Sequence, residues 1–420
     1  MRCSNLANGL QTSPIITLAA EINEKIQRGE KFYNLTIGDF NPKVFPIPEK
    51  LKLEIQAAYD ASQTNYPGAF GALNLRESVS RFLEGDADLA YTPNDILIAS
   101  GGRPLIYSAY REVVNPDEPV IFPVPSWNND YYTHLSSGKA VILETRAENY
   151  FMPTAADIKP HLKDAALIAL CSPLNPTGTV LSQDGLAEIC DLVLEENRAR
   201  GKDRKPVYVM FDQIYWLLTF GDTRHHTPVN LRPEMRDYTI FIDGVSKAFA
   251  GTGVRVGWAY GPSDIIKKMR TMIAHMGAWA PKPEQVAVGN FLADRAAVDG
   301  YLDWFRKEIR SRLEGFYKGF IALKQKGHRV DAIEPQAAMY LTVQLNLAGA
   351  VTAEGQRLEH NADVHRYILD EAKVGLVPFS HFGASESSNW YRLSVGTCRL
   401  QEVEVIISAL DAALNKLKFN

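Results

Sequence analysis

One lysine of this chain stands in a setting that changes what a lysine can do. In D-G-V-S-K-A-F-A-G-T-G-V-R-V-G-W (243–258), Lys247 has Val245, Phe249 and Val254 as near neighbours. Apolar surroundings disfavour the ammonium form, lower the amine's pKa and leave a nucleophile suited to carbonyl chemistry. A solvated surface lysine is the ordinary alternative, and the flanking apolar residues argue against full exposure. Eight residues on, past Gly251-Thr252-Gly253, comes Arg255, a permanent cation suited to an anion. Upstream, Asp212 and Tyr215 in D-Q-I-Y are three apart, so one short turn aims a carboxylate and a phenol the same way. A strand-end aspartate is otherwise usually a helix cap. Asn175 sits in S-P-L-N-P-T-G (172–178), which is either turn punctuation or a stiff backbone presenting an amide. S-G-G-R-P (100–104) offers Gly101 and Gly102, whose N–H groups can approach an anion at a helix start, beside Arg103. Trp127 adds a flat ring, which in isolation reads as core or interface.

These residues need a scaffold, and the sequence supplies one. Short apolar runs recur at 96–100, 120–124, 140–145, 166–171, 207–212, 239–243 and 255–261. They are near-continuous rather than alternating, as strands covered on both faces must be. Helical patterns separate several of them: Ile106, Tyr110 and Val113 share one face after Pro104, and Leu186, Ile189, Cys190 and Val193 share another. Alternating strands and helices predict an α/β layer with a mainly parallel seven-stranded sheet between helices. Six of the seven runs have one of the polar candidates at an end, and open sheets of this kind place their sites at strand carboxyl ends. Later, Leu302, Phe305, Ile309, Leu313, Phe316, Phe320 and Leu323 predict one long amphipathic helix that stops at Gly327. Strands at 338–345 and 391–396 and a last helix follow. The expected division is an N-terminal segment (1–50) packing on a small α+β domain (291–420), with the large domain at 51–290.

Composition narrows the class. The 420 residues are 46% apolar and 22% charged with a net charge of −4, ordinary for a globular protein and without a polyanion-binding signature. No nucleic acid and no membrane are expected as partners. Four scattered cysteines without a C-x-x-C pair read as free thiols, and with no signal-peptide pattern the expected compartment is the cytoplasm. No H-E-x-x-H or Cys/His cluster suggests a metal; His225–His226 on a polar loop reads as solvated.

The order of the motifs says more than any one of them. A phosphate turn, a stacking aromatic, Asn-Pro-Thr-Gly, Asp-x-x-Tyr, Ser-Lys and Gly-x-Arg-x-Gly follow each other at strand ends. A cofactor with a phosphate, an aromatic ring, a ring nitrogen, a phenolic oxygen and an aldehyde needs that set, and pyridoxal 5'-phosphate is one. From about Ser13 onward the chain resembles a class I/II aminotransferase of the fold-type I pyridoxal-phosphate group, similar to aspartate aminotransferase. The likeness extends to N-L-T-I-G-D-F (34–40), N-Y-P-G-A-F-G-A-L-N-L-R (65–76) and Y-R-L-S-V-G (391–396).

The resemblance implies that Lys247 is the amine that joins the cofactor and then moves the substrate's α-proton. It implies that Asp212 faces the ring nitrogen, that Tyr215 and Asn175 reach the phenolic oxygen, and that Trp127 stacks on the ring. Gly101, Gly102, Arg103, Ser246, Arg255 and a partner subunit's tyrosine equivalent to Tyr66 would hold the phosphate, making the protein a homodimer. Gly38, Asn175 and Arg392 would meet the substrate. The implied reaction moves an amino group from an L-amino acid to a 2-oxo acid, 2-oxoglutarate on family likeness, by a ping-pong route. A β-lyase or decarboxylase on the same fold is the alternative, and a non-catalytic cofactor-binding regulator a remote one. Gln213 stands where many members have glutamate, Gly244 where some have a phosphate-binding serine, and Ala337 and Phe379 where glycine is common. Tyr131, Trp216 and Trp279 are offered as walls of an apolar substrate pocket, with surface or core positions explaining them as well.

Overall fold

The seven apolar runs are seven strands. In the computed structural model, which describes residues 2–419, they are β1 (Ile96–Ala99), β2 (Pro119–Val124), β3 (Lys139–Glu144), β4 (Leu167–Cys171), β5 (Tyr208–Asp212), β6 (Thr239–Gly244) and β7 (Gly257–Tyr260). They form one sheet in the order β1-β7-β6-β5-β4-β2-β3. The pairs β2/β3, β2/β4, β4/β5 and β5/β6 are parallel, and β7 runs antiparallel to both its neighbours. Every residue of β1, β6 and β7 is buried, which is why these runs are mainly apolar, with Thr239 and Asp243 the polar residues of β6. Edge strand β3 is mostly exposed.

Because β1, β4, β5 and β6 point the same way, their carboxyl ends share one rim. Ala99, Cys171, Asp212 and Gly244 end those strands. Helices pack on both faces of the sheet. The helix Gly102–Val113 buries Ile106, Tyr110 and Val113, and Gln183–Arg200 buries Leu186, Ile189, Cys190 and Val193. Ser182 caps the second of these by accepting the Gly185 N–H.

The long helix is Arg295–Gln325, capped at its start by Asp294 and followed by Gly327 at φ +97°. Its apolar stripe serves two cores. Val298 and Leu302 belong to the core around the large sheet, while Phe305, Ile309, Leu313, Phe316, Phe320 and Leu323 belong to a second one. That second core contains a four-stranded antiparallel sheet of β8 (Val330–Ala332), β9 (Tyr340–Leu345), β10 (Val377–Pro378) and β11 (Trp390–Ser394), in the order β10-β11-β9-β8. The N-terminal segment packs here as well. Leu35, Phe40 and Phe45 join the second core, and Tyr33–Asn34 pairs in parallel with Val374–Gly375.

The two cores meet at the Asn-Pro-Thr-Gly turn. The Thr177 carbonyl accepts the Thr342 hydroxyl at 2.8 Å, and the Gly178 carbonyl accepts the Ala337 N–H at 2.9 Å. Gly178 has φ +71°, and a Cβ there would lie 2.2 Å from the Tyr340 carbonyl oxygen. Only glycine permits both the conformation and the approach. Gly178→Ala is therefore expected to lower stability by about 2 kcal/mol or more, read as a shift in urea midpoint. An unchanged midpoint would show that this turn is not clamped between the two cores.

Candidate active site

A cavity of about 630 Å³ opens at the shared rim of the strand ends. Of the residues singled out in the sequence, Gly38, Gly102, Arg103, Trp127, Asn175, Asp212, Tyr215, Ser246, Lys247, Arg255 and Arg392 all line it. Gly101 lies directly beside it as the cap of the Gly102–Val113 helix. Tyr66 does not line it; its side chain is 83% exposed and its ring meets Trp279 edge-on at 5.6 Å.

Lys247 sits in the helical turn Val245–Ala248, immediately after β6. Its Nζ donates to the Gly38 carbonyl at 2.6 Å and lies 5.9 Å from the centre of the Tyr215 ring. Burial pushes its pKa down to about 8, partly opposed by Asp39 and reinforced by Arg392, Arg103 and Arg255. The Asp39 carboxylate also accepts the Thr252 hydroxyl at 2.7 Å. Asp212 ends β5 and accepts the Ile214 N–H at 3.1 Å, so its other oxygen is left for the cavity. Burial raises its pKa to about 6. Amine and carboxylate thus arrive from adjacent strands, since Asp212 is in register with Ile242.

The second end of the cavity is cationic and rich in N–H groups. The free amides at the start of the Gly102–Val113 helix lie beside Arg103, Ser246 and Arg255. Arg255 is anchored by donating to the Thr252 and Ser100 carbonyls, both at 2.8 Å. It packs so closely on Gly101, at φ +86°, that a Cβ there would lie 2.3 Å from its Nη2. Arg103 places its guanidinium 5.5 Å from the centre of the Trp127 ring. Trp127 in turn leans on Phe382.

Facing Lys247 is Arg392, carried on β11 and only 1% exposed. Its Nη1 donates to Asn175 Oδ1 at 3.0 Å and its Nη2 to the Thr36 carbonyl at 2.6 Å, while Nε has no partner among the described residues. Among the described residues no carboxylate pairs with it. The contact to Asn175 fixes that amide with its oxygen toward Arg392 and its NH₂ group free. Tyr215, 3% exposed, shares a 2.7 Å hydrogen bond with the hydroxyl of Tyr340.

Some expectations need correction. Trp216 belongs to the core of the large sheet, where its indole N–H donates to buried Asp243 at 2.8 Å. Trp279 faces Tyr66, and Tyr131 does not reach the cavity; its apolar wall is made by Ile15, Ile16, Ala19, Ile37 and Trp127 instead. His225 is not a solvated loop residue. It packs on Phe211 and Trp216, and burial pushes its pKa down to about 3. Sequence reasoning passed over Asp39, although it lies inside the quoted 34–40 run, and passed over Tyr340, whose role depends on a contact 125 residues away.

The residues present fit pyridoxal phosphate. Helix-start amides beside Ser246 and Arg255 suit its phosphate, and a carboxylate at a strand end suits its ring nitrogen. Lys247 suits its aldehyde, and the unpaired Nε of Arg392 marks a place for one more anion. No helix among the described residues is long and apolar enough to cross a membrane.

Comparison with known proteins agrees with this geometry. The chain is 28% identical over 418 residues to an aspartate aminotransferase of Bacillus sp. (strain YM-2), covering 97% of this chain and 98% of the relative. It is 25% identical over 422 residues to one from Bacillus subtilis (strain 168), covering 100% and 98%. Its fold matches the crystal structure of the aspartate aminotransferase from Rhizobium meliloti with a TM-score of 0.89 over the full length of both chains, at 24% identity. Residues 30–410 match the model of the class I and II aminotransferases, and the chain belongs to that family of pyridoxal-phosphate-dependent transaminases.

Proposed function

We propose that this aminotransferase takes L-aspartate as its amino donor and 2-oxoglutarate as its acceptor, acting as a homodimer in the cytoplasm. The observation that carries an α-carboxylate substrate is Arg392, a buried guanidinium with no carboxylate partner among the described residues, while the choice of aspartate rests on the relatives. Four cations, Lys247, Arg103, Arg255 and Arg392, face two carboxylates, Asp39 and Asp212, across one cavity. Such a site is balanced by ligands that bring a phosphate and carboxylates. The relatives that are named aspartate aminotransferases support the donor.

Bound pyridoxal phosphate would supply an electron sink for the pair left at the α-carbon and an aldehyde carbon that carries nitrogen between an amino acid and a 2-oxo acid. The protein's residues do the rest. Gly101, Gly102, Arg103, Ser246 and Arg255 hold the phosphate, and Trp127 covers the ring. Asp212 holds a proton on the ring nitrogen; with its own pKa near 6 it is largely ionised at neutral pH and favours that proton. Tyr215 and Asn175 direct O–H and N–H groups at the phenolic oxygen. Arg392 grips the substrate α-carboxylate with two parallel N–H donors, beside Gly38. Lys247, whose pKa near 8 leaves about a tenth of it neutral at pH 7, would take the α-proton as general base and, as its conjugate acid, would deliver it to the cofactor carbon that had been the aldehyde. Ile15, Ile16, Ala19 and Ile37 give that side of the cavity an apolar lining.

The division into a large domain (51–290), a small one (291–420) and an N-terminal segment (1–50) is also our reading. The two separate cores support it, with the long helix spanning both. The four cysteines are unpaired, as a reducing cytoplasm keeps them, and cell fractionation reads that location directly.

Two experiments test this function. Single-turnover mixing of cofactor-loaded enzyme with a panel of amino acids should show aspartate reacting at least about tenfold more efficiently than alanine or phenylalanine, with 2-oxoglutarate restoring the starting absorbance. A preference for an apolar donor, or release of pyruvate and ammonia in place of oxo-acid exchange, overturns the assignment. For the dimer, Tyr66→Phe should weaken cofactor binding by about tenfold or more, the worth of a hydrogen bond to a charged group. Hybrids pairing one Tyr66→Phe subunit with one Lys247→Ala subunit should regain wild-type affinity at the single competent site. Hybrids no better than the Tyr66→Phe parent contradict a tyrosine shared across subunits.

A further inference from the structure

Tyr340 is held from several sides at the centre of the site. It begins β9 and is 1% exposed. Its backbone carbonyl abuts Gly178, its ring meets that of Tyr215 edge-on at 5.6 Å, and its hydroxyl lies 2.7 Å from the Tyr215 hydroxyl. On neighbouring strands Arg392 is in register with Thr342, two residues from Tyr340 and on the same face. The Arg392 guanidinium accordingly sits 4.7 Å from the centre of the Tyr340 ring. The charged and titratable groups that act on Tyr340 are Tyr215, Cys171, Arg392 and Asp39.

A proton count gives this arrangement a direction. Burial raises the pKa of both phenols, so both keep their protons. Only one O–H can lie in the bond between them, and the other points elsewhere. The Arg392 guanidinium opposes burial at both phenols, but it lies against the Tyr340 ring and acts more strongly there than at Tyr215, which makes Tyr340 the better donor of the two. Both side chains line the cavity, so the proton not used between them is available to a ligand.

We propose that Tyr340 is a positioning residue whose hydroxyl donates to Tyr215 and so turns the Tyr215 O–H onto the cofactor's phenolic oxygen. This rests on the site reading above, in which that oxygen lies beside Tyr215 and Asn175. Tyr340 itself touches neither cofactor nor substrate in this account. A hydroxyl that accepts one hydrogen bond donates a stronger one, so Tyr340 strengthens the grip of Tyr215 through the shared bond.

The test is a pH titration of the visible absorbance of cofactor-loaded wild type, Tyr340→Phe, Tyr215→Phe and the double variant. Weakening the donor to the phenolic oxygen leaves more negative charge beside the nitrogen shared by Lys247 and the cofactor, and that nitrogen then keeps its proton to higher pH. Tyr340→Phe should move the midpoint upward by roughly half a pH unit, and Tyr215→Phe should move it further. In the Tyr215→Phe background the Tyr340 change should add nothing, because its only route is removed. The Kd of succinate, an unreactive dicarboxylate, should stay within about threefold of wild type, as a residue that does not touch substrate requires. An unmoved midpoint in Tyr340→Phe, or an equal shift in the Tyr215→Phe background, overturns the proposal. A Kd raised more than about tenfold with an unmoved midpoint would assign the hydroxyl to the substrate instead. A Tyr215→Phe variant with a wild-type midpoint would overturn the underlying site reading as well.

Discussion

Like charges confined in one cavity repel, and here the fold holds four cations there against two carboxylates. Arg255 is tied to two backbone carbonyls and Arg392 to the Thr36 carbonyl and the Asn175 amide, so neutral oxygens rather than acids hold them. Hydrogen bonds of this kind satisfy the donors without cancelling the charge. The uncancelled charge is what selects anionic ligands, and it adds to burial, the larger cause, in depressing the pKa of Lys247. Substrate capture and the reactivity of the amine therefore share one contribution, the guanidinium charge.

Such a cavity needs a stiff frame, and the frame comes from both cores. The parallel strands bring Asp212 and the Lys247 turn to one rim, while β9 and β11 bring Tyr340 and Arg392 across from the other side. The N-terminal segment closes the ring, because Gly38 offers its carbonyl to Lys247 and Thr36 offers its own to Arg392. The Asn-Pro-Thr-Gly turn is where these parts lock. Its asparagine contacts Arg392, its threonine carbonyl accepts from β9, and its glycine makes room for the Tyr340 backbone. Three of the four residues of that short run thus have separate structural reasons.

Much of this was legible in the sequence, for reasons that differ by residue. The buried strands were readable because their residues are covered on both faces, which favours near-continuous apolar runs, whereas edge strand β3 is mostly exposed. Lys247 stood out because its apolar neighbours are adjacent in the chain. Arg392 carries no such local mark, and only the likeness of its segment to a known family singled it out. Tyr340 was not legible, since its place is set by contacts to Tyr215 and Arg392 that no local pattern encodes. His225 and Trp216 misled in opposite ways. A polar loop suggested a solvated histidine that is in fact packed on two aromatic rings, and an aromatic near Tyr215 suggested a pocket wall that instead faces Asp243.

The central claim is that one buried amine, Lys247, is the covalent anchor of the cofactor. Borohydride reduction of the loaded protein, followed by proteolysis and mass mapping, tests it most directly. The account predicts a pyridoxyl group on the peptide that contains Lys247 and on no other. A label on a different lysine, or none on a protein that has bound the cofactor, would contradict it.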